Sequence, residues 1–242
     1  MLGTGTVLYP VFLDLAGRRC LVVGAGSVGL ARVRGLLDAG AVVTVVEPHP
    51  SADLLALRQA HETLRMEARA FRPGDAAGFL LVHACTSSAA TNALVSEDAA
   101  AHGALCTRAD DSRAGGDFRM AAVLRRGDVC LAVSSGGRAP ALAAEARDRA
   151  ASAVGEEFGV ASELLGRLRA AAREHGVGAP LRRRLAQRAL DAGLLALLRD
   201  GRREQAESLV AGLLAEACAG GAQERDVPSP IRDVLMEDPC TR

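Results

Sequence analysis

Lysine is absent from this chain: all 29 of its basic side chains are arginine. Catalysis through a lysine Schiff base is therefore excluded. An excess of charge is missing too, because 29 acidic residues balance the 29 basic ones. The protein has no global field to draw in nucleic acid or a membrane, and neither is expected as a partner. Six cysteines (Cys20, Cys85, Cys106, Cys130, Cys218, Cys240) include no Cys-x-x-Cys pair. Four of them sit inside apolar runs, where a free thiol behaves as a small hydrophobe. This usage argues against a structural zinc site or a disulfide frame and points to a reducing cytoplasm. No apolar run approaches the roughly 20 residues of a membrane helix. No basic residue precedes Arg18, so no secretory signal is expected. The five histidines form no metal pattern. His83 reads as a satisfied core residue, His102 as a helix-end residue suited to the dipole, and His49 as a neighbour of Glu47-Pro48.

What the chain does contain is enough apolar material, 49% of 242 residues, for one main domain and a smaller appendage. Its most telling stretch is Cys20-Leu21-Val22-Val23-Gly24-Ala25-Gly26-Ser27-Val28-Gly29, an apolar run that breaks into Gly-x-Gly-x-x-Gly. A helical pattern from Leu30 to Ala39 follows. A second apolar run, Ala41 to Val46, ends on Glu47. The order is strand, glycine turn, helix, strand, acid. Gly24 permits the sharp turn, Gly26 lets a pyrophosphate approach the backbone, and Gly29 lets helix and strand pack closely. The free N–H groups and positive dipole end of the helix then face phosphates, with Ser27 and Val28 of the turn as further candidate contacts. Glu47 stands where a carboxylate can accept hydrogen bonds from adenosine ribose hydroxyls, with Pro48 and His49 beside it. NAD is the cofactor this pattern favours, since Glu47 would repel a 2′-phosphate. Arg69, Arg72 or another arginine folding back would relieve that repulsion and admit NADP.

Further along, Phe79 to Cys85 is a continuous apolar run, as in a strand buried on both faces of a parallel sheet. Thr86-Ser87-Ser88 follows, then a helical segment from about Ala89 to Ala101 closed by Gly103, and a short strand from Ala104 to Ala109. Residues from about Arg18 to Ala109 thus alternate strand and helix, the mark of a doubly wound sheet. Ligands of such sheets lie beyond the carboxyl ends of the strands. Thr86 and Asp110 stand just past strand ends, on the rim that carries the glycine turn. Two short strands are expected at Phe118–Arg125 and Val129–Val133. Ser134-Ser135-Gly136-Gly137-Arg138 reads as a polar turn, and Pro140 suits the first turn of a helix. Three or four helices are expected from there to about Ala217, with breaks at Gly155, Gly176–Pro180 and Gly201. The tail is rich in Gly, Pro and charge and reads as disordered.

In four segments the chain resembles the precorrin-2 dehydrogenase family, which includes the N-terminal half of fused sirohaem synthases. They are Tyr9–Arg18 running into the glycine turn, Leu81–Ser88 with Asn92 beyond it, Cys106–Asp111 leading to Asp117-Phe118, and Arg125–Asp128 continuing to Ala132–Ala143. The Ser-Ser-Gly-Gly-x-x-Pro-x-Leu-Ala string, Ser134 to Ala143, is the most specific. The likeness is clear over about residues 9 to 155 and fades towards 217. It implies a Rossmann-like α/β fold: an NAD-binding domain at 1–112, a dimerisation and substrate-groove region at 113–150, a helical domain at 151–217, and a tail at 218–242. It also implies a cytoplasmic homodimer that oxidises precorrin-2 to sirohydrochlorin with NAD. Some members also insert ferrous iron, as substrate rather than as a resident metal.

The family's catalytic acid/base aspartate falls on Asp110, with Asp111 as the alternative, and a turn or capping pair as the plain reading of both. Thr107 and Arg108 replace the family's usual residues just before it, and the turn Cys85–Ser88 lacks the usual acids. Asp110 must be ionised to take a proton, which nearby arginines favour. A flat substrate ringed with carboxylates suits arginines at a groove rim. Arg108, Arg113, Arg119 and Arg138 are the candidates, with Ser134, Ser135 and Gly136 as hydrogen-bond donors. Two other functions fit part of the pattern: a chelatase-only lyase that binds NAD idly, and a nucleotide-sensing regulatory module. The intact glycines and Glu47 argue against the first. The second leaves the Ser134–Ala143 string unexplained.

Overall fold

A computed structural model of the chain describes residues 7–110 and 116–220. Five parallel strands, β1 (Arg19–Val23), β2 (Val42–Val46), β3 (Leu64–Glu67), β4 (Leu81–Ala84) and β5 (Leu105–Arg108), form one sheet in the order β3-β2-β1-β4-β5. Side chains alternate across the sheet because successive strand residues point to opposite faces. Cys20, Val22, Val43, Val45 and Leu81 pack on one face against Leu30, Val33 and Leu36 of α1 (Ser27–Asp38) and Leu54 of α2 (Ala52–Ala60). Leu21, Val23, Val82, Ala84 and Cys106 pack on the other against Val95 and Ala99 of α3 (Ala89–Ala101). Helices therefore cover both faces. The strand order reverses between β1 and β4, where the carboxyl ends of such sheets open a crevice.

Cα packing divides the chain into two units, Met1–Ala122 with Val133–Glu145, and Val123–Ala132 with Ala146–Arg242. In the second, β6 (Ala122–Arg126) and β7 (Val129–Val133) pair across Gly127. Gly127 has φ +54°, and a Cβ there would lie 3.1 Å from Gly159 Cα, so this turn sits directly on the start of the helix that begins at Glu157. After α4 (Pro140–Ala153), helices α5 (Glu157–Glu174), α6 (Ala179–Asp191), α7 (Leu194–Arg199) and α8 (Arg203–Gly220) enclose a separate core of Leu164, Leu168, Leu185, Leu194 and Leu213.

Several expectations need adjusting. The first helix starts at Ser27, not Leu30, so Gly29 lies inside it. Five helices, not three or four, follow Pro140 among the described residues, because Gly193 at φ +89° separates α6 from the six-residue α7. The strand expected from Phe118 begins at Ala122. Phe118 instead stands edge-on to His83, ring centroids 5.3 Å apart at 88°. Asp111, Arg113, Cys240 and the tail beyond Gly220 lie outside the described residues.

His83 is a core residue but not a satisfied one. It is 2% exposed, and its Nδ1 has no hydrogen-bond partner. Burial, with a smaller push from Arg32, lowers its pKa from 6.5 to about 4. On acidification between those values the unfolded chain binds a proton that the folded chain does not, so stability falls as pH falls through that window. A His83→Leu variant should show a shallower loss of unfolding free energy over the same range in denaturant titrations.

Candidate active site at the sheet switch point

At the end of β1 the chain turns at Gly24, whose φ is +89° and whose N–H donates to Val46 O at 3.0 Å. A Cβ on Gly24 would lie 2.7 Å from Cys85 O, and one on Gly29 only 2.0 Å from Gly24 O. Gly26 differs: a Cβ there would meet nothing within 4 Å. The turn is thus sealed towards β4 and the helix, and open on its outer side. Gly26 is the N-cap of α1, with no side chain capping that end. Such an unsatisfied, positively polarised helix end suits a phosphate.

This open side forms part of a cavity of about 720 Å³, lined by Gly24, Gly26, Ser27, Val28, Glu47, Pro48, His49, Thr86 and Asp110. Of the residues expected around a dinucleotide, only Gly29 is not in the lining; it stands behind the wall, where its missing side chain lets α1 approach Gly24. Sequence reasoning did not anticipate Ala70, Phe71, Ser87 and Thr91, which complete the lining. Ala70 and Phe71 come from the crossing between β3 and β4, whose sequence carries no regular period. Cys85 also lines the cavity. Burial pushes its thiol up to about 11, which makes it a packing group rather than a nucleophile.

Glu47 ends β2, and its carboxylate is braced by two backbone donors. Oε2 accepts the Ala25 N–H at 2.7 Å and Oε1 accepts the His49 N–H at 2.9 Å. The acid therefore ties the glycine turn to the second strand while facing the cavity. Neither Arg69 nor Arg72 lines that cavity. The Arg69 guanidinium is held by Asp75 at 2.6 and 2.9 Å and by Glu67.

Thr86 follows β4, and fully buried Asn92 of α3 fixes it. Asn92 Oδ1 accepts the Thr86 N–H at 3.0 Å and the Thr86 hydroxyl at 2.8 Å, and Asn92 Nδ2 donates to Thr86 O at 3.1 Å. The sequence showed Asn92 as part of a motif without a role; this clamp is the role the structure gives it. The Ser88 hydroxyl accepts the Thr91 N–H at 3.1 Å and caps α3.

Asp110 lies two residues past β5, anchored by the Ala109 N–H donating to Ala84 O at 2.9 Å. Its partner is Arg108, with Nη2 2.7 Å from Oδ2 and Nε 3.3 Å from Oδ1. That two-pronged contact holds the Asp110 carboxyl below the usual carboxylate range, with Asn92 adding a smaller push in the same direction. Arg108, also a candidate for the substrate rim, thus favours the ionised form of the acid. An Arg108→Ala variant should move the acidic limb of the kcat/KM profile to higher pH, because Asp110 would then take its proton sooner on acidification. An unshifted limb would contradict the pairing.

The other expected substrate residues, Ser134, Ser135, Gly136, Arg138 and Arg119, are not in the lining of this cavity. Several of their hydrogen bonds are local. The Ser135 hydroxyl accepts the Ala139 N–H at 3.1 Å just before α4, and the Ser134 hydroxyl accepts the Gly136 N–H at 3.1 Å. Arg119 donates to Gly116 O at 2.8 Å and Phe118 O at 3.2 Å. Among the described residues no cluster of three or more His, Cys, Asp or Glu could hold a metal ion, and no helix is long and apolar enough to cross a membrane.

A parallel sheet with a glycine turn, an open helix end and an acid after the second strand defines a dinucleotide-binding α/β protein. Residues 11–122 match a family model described as "Putative NAD(P)-binding". Siroheme synthase of Methylococcus capsulatus is 35% identical over 216 residues, covering 89% of this chain and 44% of that protein. Siroheme synthase 2 of Aeromonas salmonicida is 37% identical over 189 residues, covering 77% of this chain and 38% of that protein. The solved structure of SirC, precorrin-2 dehydrogenase, matches with a TM-score of 0.70 at 27% identity, covering 83% of this chain and 100% of that one. The chain belongs to the precorrin-2 dehydrogenase family that these proteins share. It spans less than half the length of the curated relatives it matches.

Proposed function

We propose that this chain oxidises precorrin-2 to sirohydrochlorin with NAD as the oxidant. The observation that carries this reading is a single cavity whose lining includes both an ionised aspartate and an open glycine turn. Bound along Gly24–Gly29, Glu47 and Thr86, NAD would supply the hydride acceptor. The chain's own residues orient the reactants and manage the proton. Gly26 and the first turn of α1 would receive the pyrophosphate, Glu47 would accept from the ribose hydroxyls, and Asn92 holds Thr86 in the lining. Oxidation of the reduced macrocycle removes a hydride and then a ring proton, and Asp110 accepts that proton as general base. Arg108 keeps the acid in the form that can do so. Ser134, Ser135, Gly136, Arg119 and Arg138 belong, in this reading, to the surface that meets the substrate carboxylates. The 113–150 region pairs two copies in a homodimer, and the protein works in the cytoplasm.

In this reading Glu47 also favours NAD over NADP, because its charge would repel a 2′-phosphate. Glu47→Ala should weaken NAD binding about tenfold, within the usual range for loss of a charged hydrogen bond, and reduce discrimination against NADP. Equal affinities in parent and variant, read by calorimetric titration, would contradict the ribose role.

The activity is tested with purified full chain in two arms. Precorrin-2 with NAD and no metal should give NADH and sirohydrochlorin; sirohydrochlorin with ferrous iron and no NAD tests iron insertion separately. Sirohaem from the second arm with no NADH from the first would replace the dehydrogenase by a chelatase. Neither product would overturn both.

A further inference from the structure

The helical unit has a cavity of its own, about 670 Å³, which the proposed oxidation does not use. Its wall is formed largely by α5 and α6 and is mostly apolar, with Phe158, Leu165 and Leu190 among its larger side chains. Three arginines, Arg169, Arg182 and Arg183, complete it, and no acidic residue lines it. Leu190 is 38% exposed, so part of this wall is open to solvent. The site asks for a ligand with apolar anchors on one side and negative charge on the other.

Such a ligand is written in the same chain. Beyond α8 and outside the described residues, Ile231-Arg232-Asp233-Val234-Leu235-Met236-Glu237-Asp238 places Ile231, Val234 and Leu235 at i, i+3 and i+4. That spacing presents three anchors on one face of a helical turn, the pattern by which short segments enter apolar grooves. Asp233, Glu237 and Asp238 outnumber Arg232, so the segment is acidic where the cavity is basic. Pro228 and Pro230 precede it and Pro239 follows, which would confine any helix to this stretch. The roughly 11 residues from Gly220 to Ile231 can span up to about 36 Å. Helix α8 packs against both α5 and α6, so the tether leaves from a helix that borders the walls of the groove. A tether this short holds the segment at a millimolar local concentration, so even weak docking would be populated.

We propose that the segment Ile231–Asp238 docks into the α5–α6 cavity of its own chain, with Ile231, Val234 and Leu235 on the apolar wall and its acids on Arg169 and Arg183. The docked segment covers the apolar wall of this hollow. This inference does not depend on the oxidation reaction.

The test uses the full chain with benzoylphenylalanine at position 235, irradiated and mapped by mass spectrometry. Because position 235 lies outside the helices that build the core, the substitution leaves them intact. Crosslinks within one chain to cavity residues of α5 and α6 are expected, at a yield independent of protein concentration. Arg169→Glu with Arg183→Glu should cut that yield at least fivefold while circular dichroism stays unchanged. Crosslinks between chains would assign the groove to a second copy and overturn the proposal. So would crosslinks elsewhere on the chain, no crosslink at all, or a yield indifferent to the two arginine substitutions.

Discussion

Replacing Asp110 with asparagine should lower the rate of precorrin-2 oxidation by about 10²–10⁴-fold, the usual contribution of a positioned general base, and leave NAD affinity nearly unchanged. The two readouts separate because Asp110 joins the lining from the end of β5, whereas the pyrophosphate would lie on the glycine turn after β1. An asparagine keeps an oxygen to accept from Arg108, so the local fold has no reason to move. It cannot take up the ring proton. Stopped-flow measurement of NADH formation would give the first number and calorimetric titration the second. Full activity in Asp110→Asn would remove this residue from the mechanism and turn attention to Asp111.

Gly29→Ala should have an equally large effect on a different quantity, lowering NAD affinity by more than about 100-fold, close to 3 kcal/mol. The added methyl would sit 2.0 Å from Gly24 O, a backbone atom that no rotamer change can move aside. Either α1 slides away from β1 or the Gly24 turn opens, and both spoil the surface along which the pyrophosphate would lie. Gly35→Ala in the same helix is the control: a Cβ there meets nothing within 4 Å. It should leave NAD binding alone and raise stability by roughly 0.5–1 kcal/mol, the difference between glycine and alanine in a helix interior. If Gly29→Ala bound NAD like the parent, the close approach of α1 to the turn would be irrelevant to the cofactor.

Much of the crevice could be read from residue order, because it depends on local chemistry. An apolar run, three glycines at fixed spacing and an acid after the next run specify their own geometry over fewer than thirty residues. The unread elements had weak local signals. Helix α2 buries only Leu54, and β3 alternates Leu64 with Arg65 and Met66 with Glu67 at the sheet edge, so neither stands out as an apolar run. Partnerships across the chain were also hidden. No spacing rule links Glu47 to the Ala25 N–H, or the Asp117 carboxylate to the Cys106 N–H it meets at 2.8 Å. Arg108 looked like a departure from its family, and only the fold shows that it grips Asp110 two positions on. His83 looked comfortable in its strand, yet burial leaves one of its nitrogens without a partner.

The most direct test follows backbone amide signals of the full chain by NMR as NAD is added without tetrapyrrole. Saturable shifts should concentrate at Gly24–Gly29, Glu47–His49 and Thr86. No saturable response, or one centred away from those residues, would contradict the assignment of the switch-point cavity to a nicotinamide carrier.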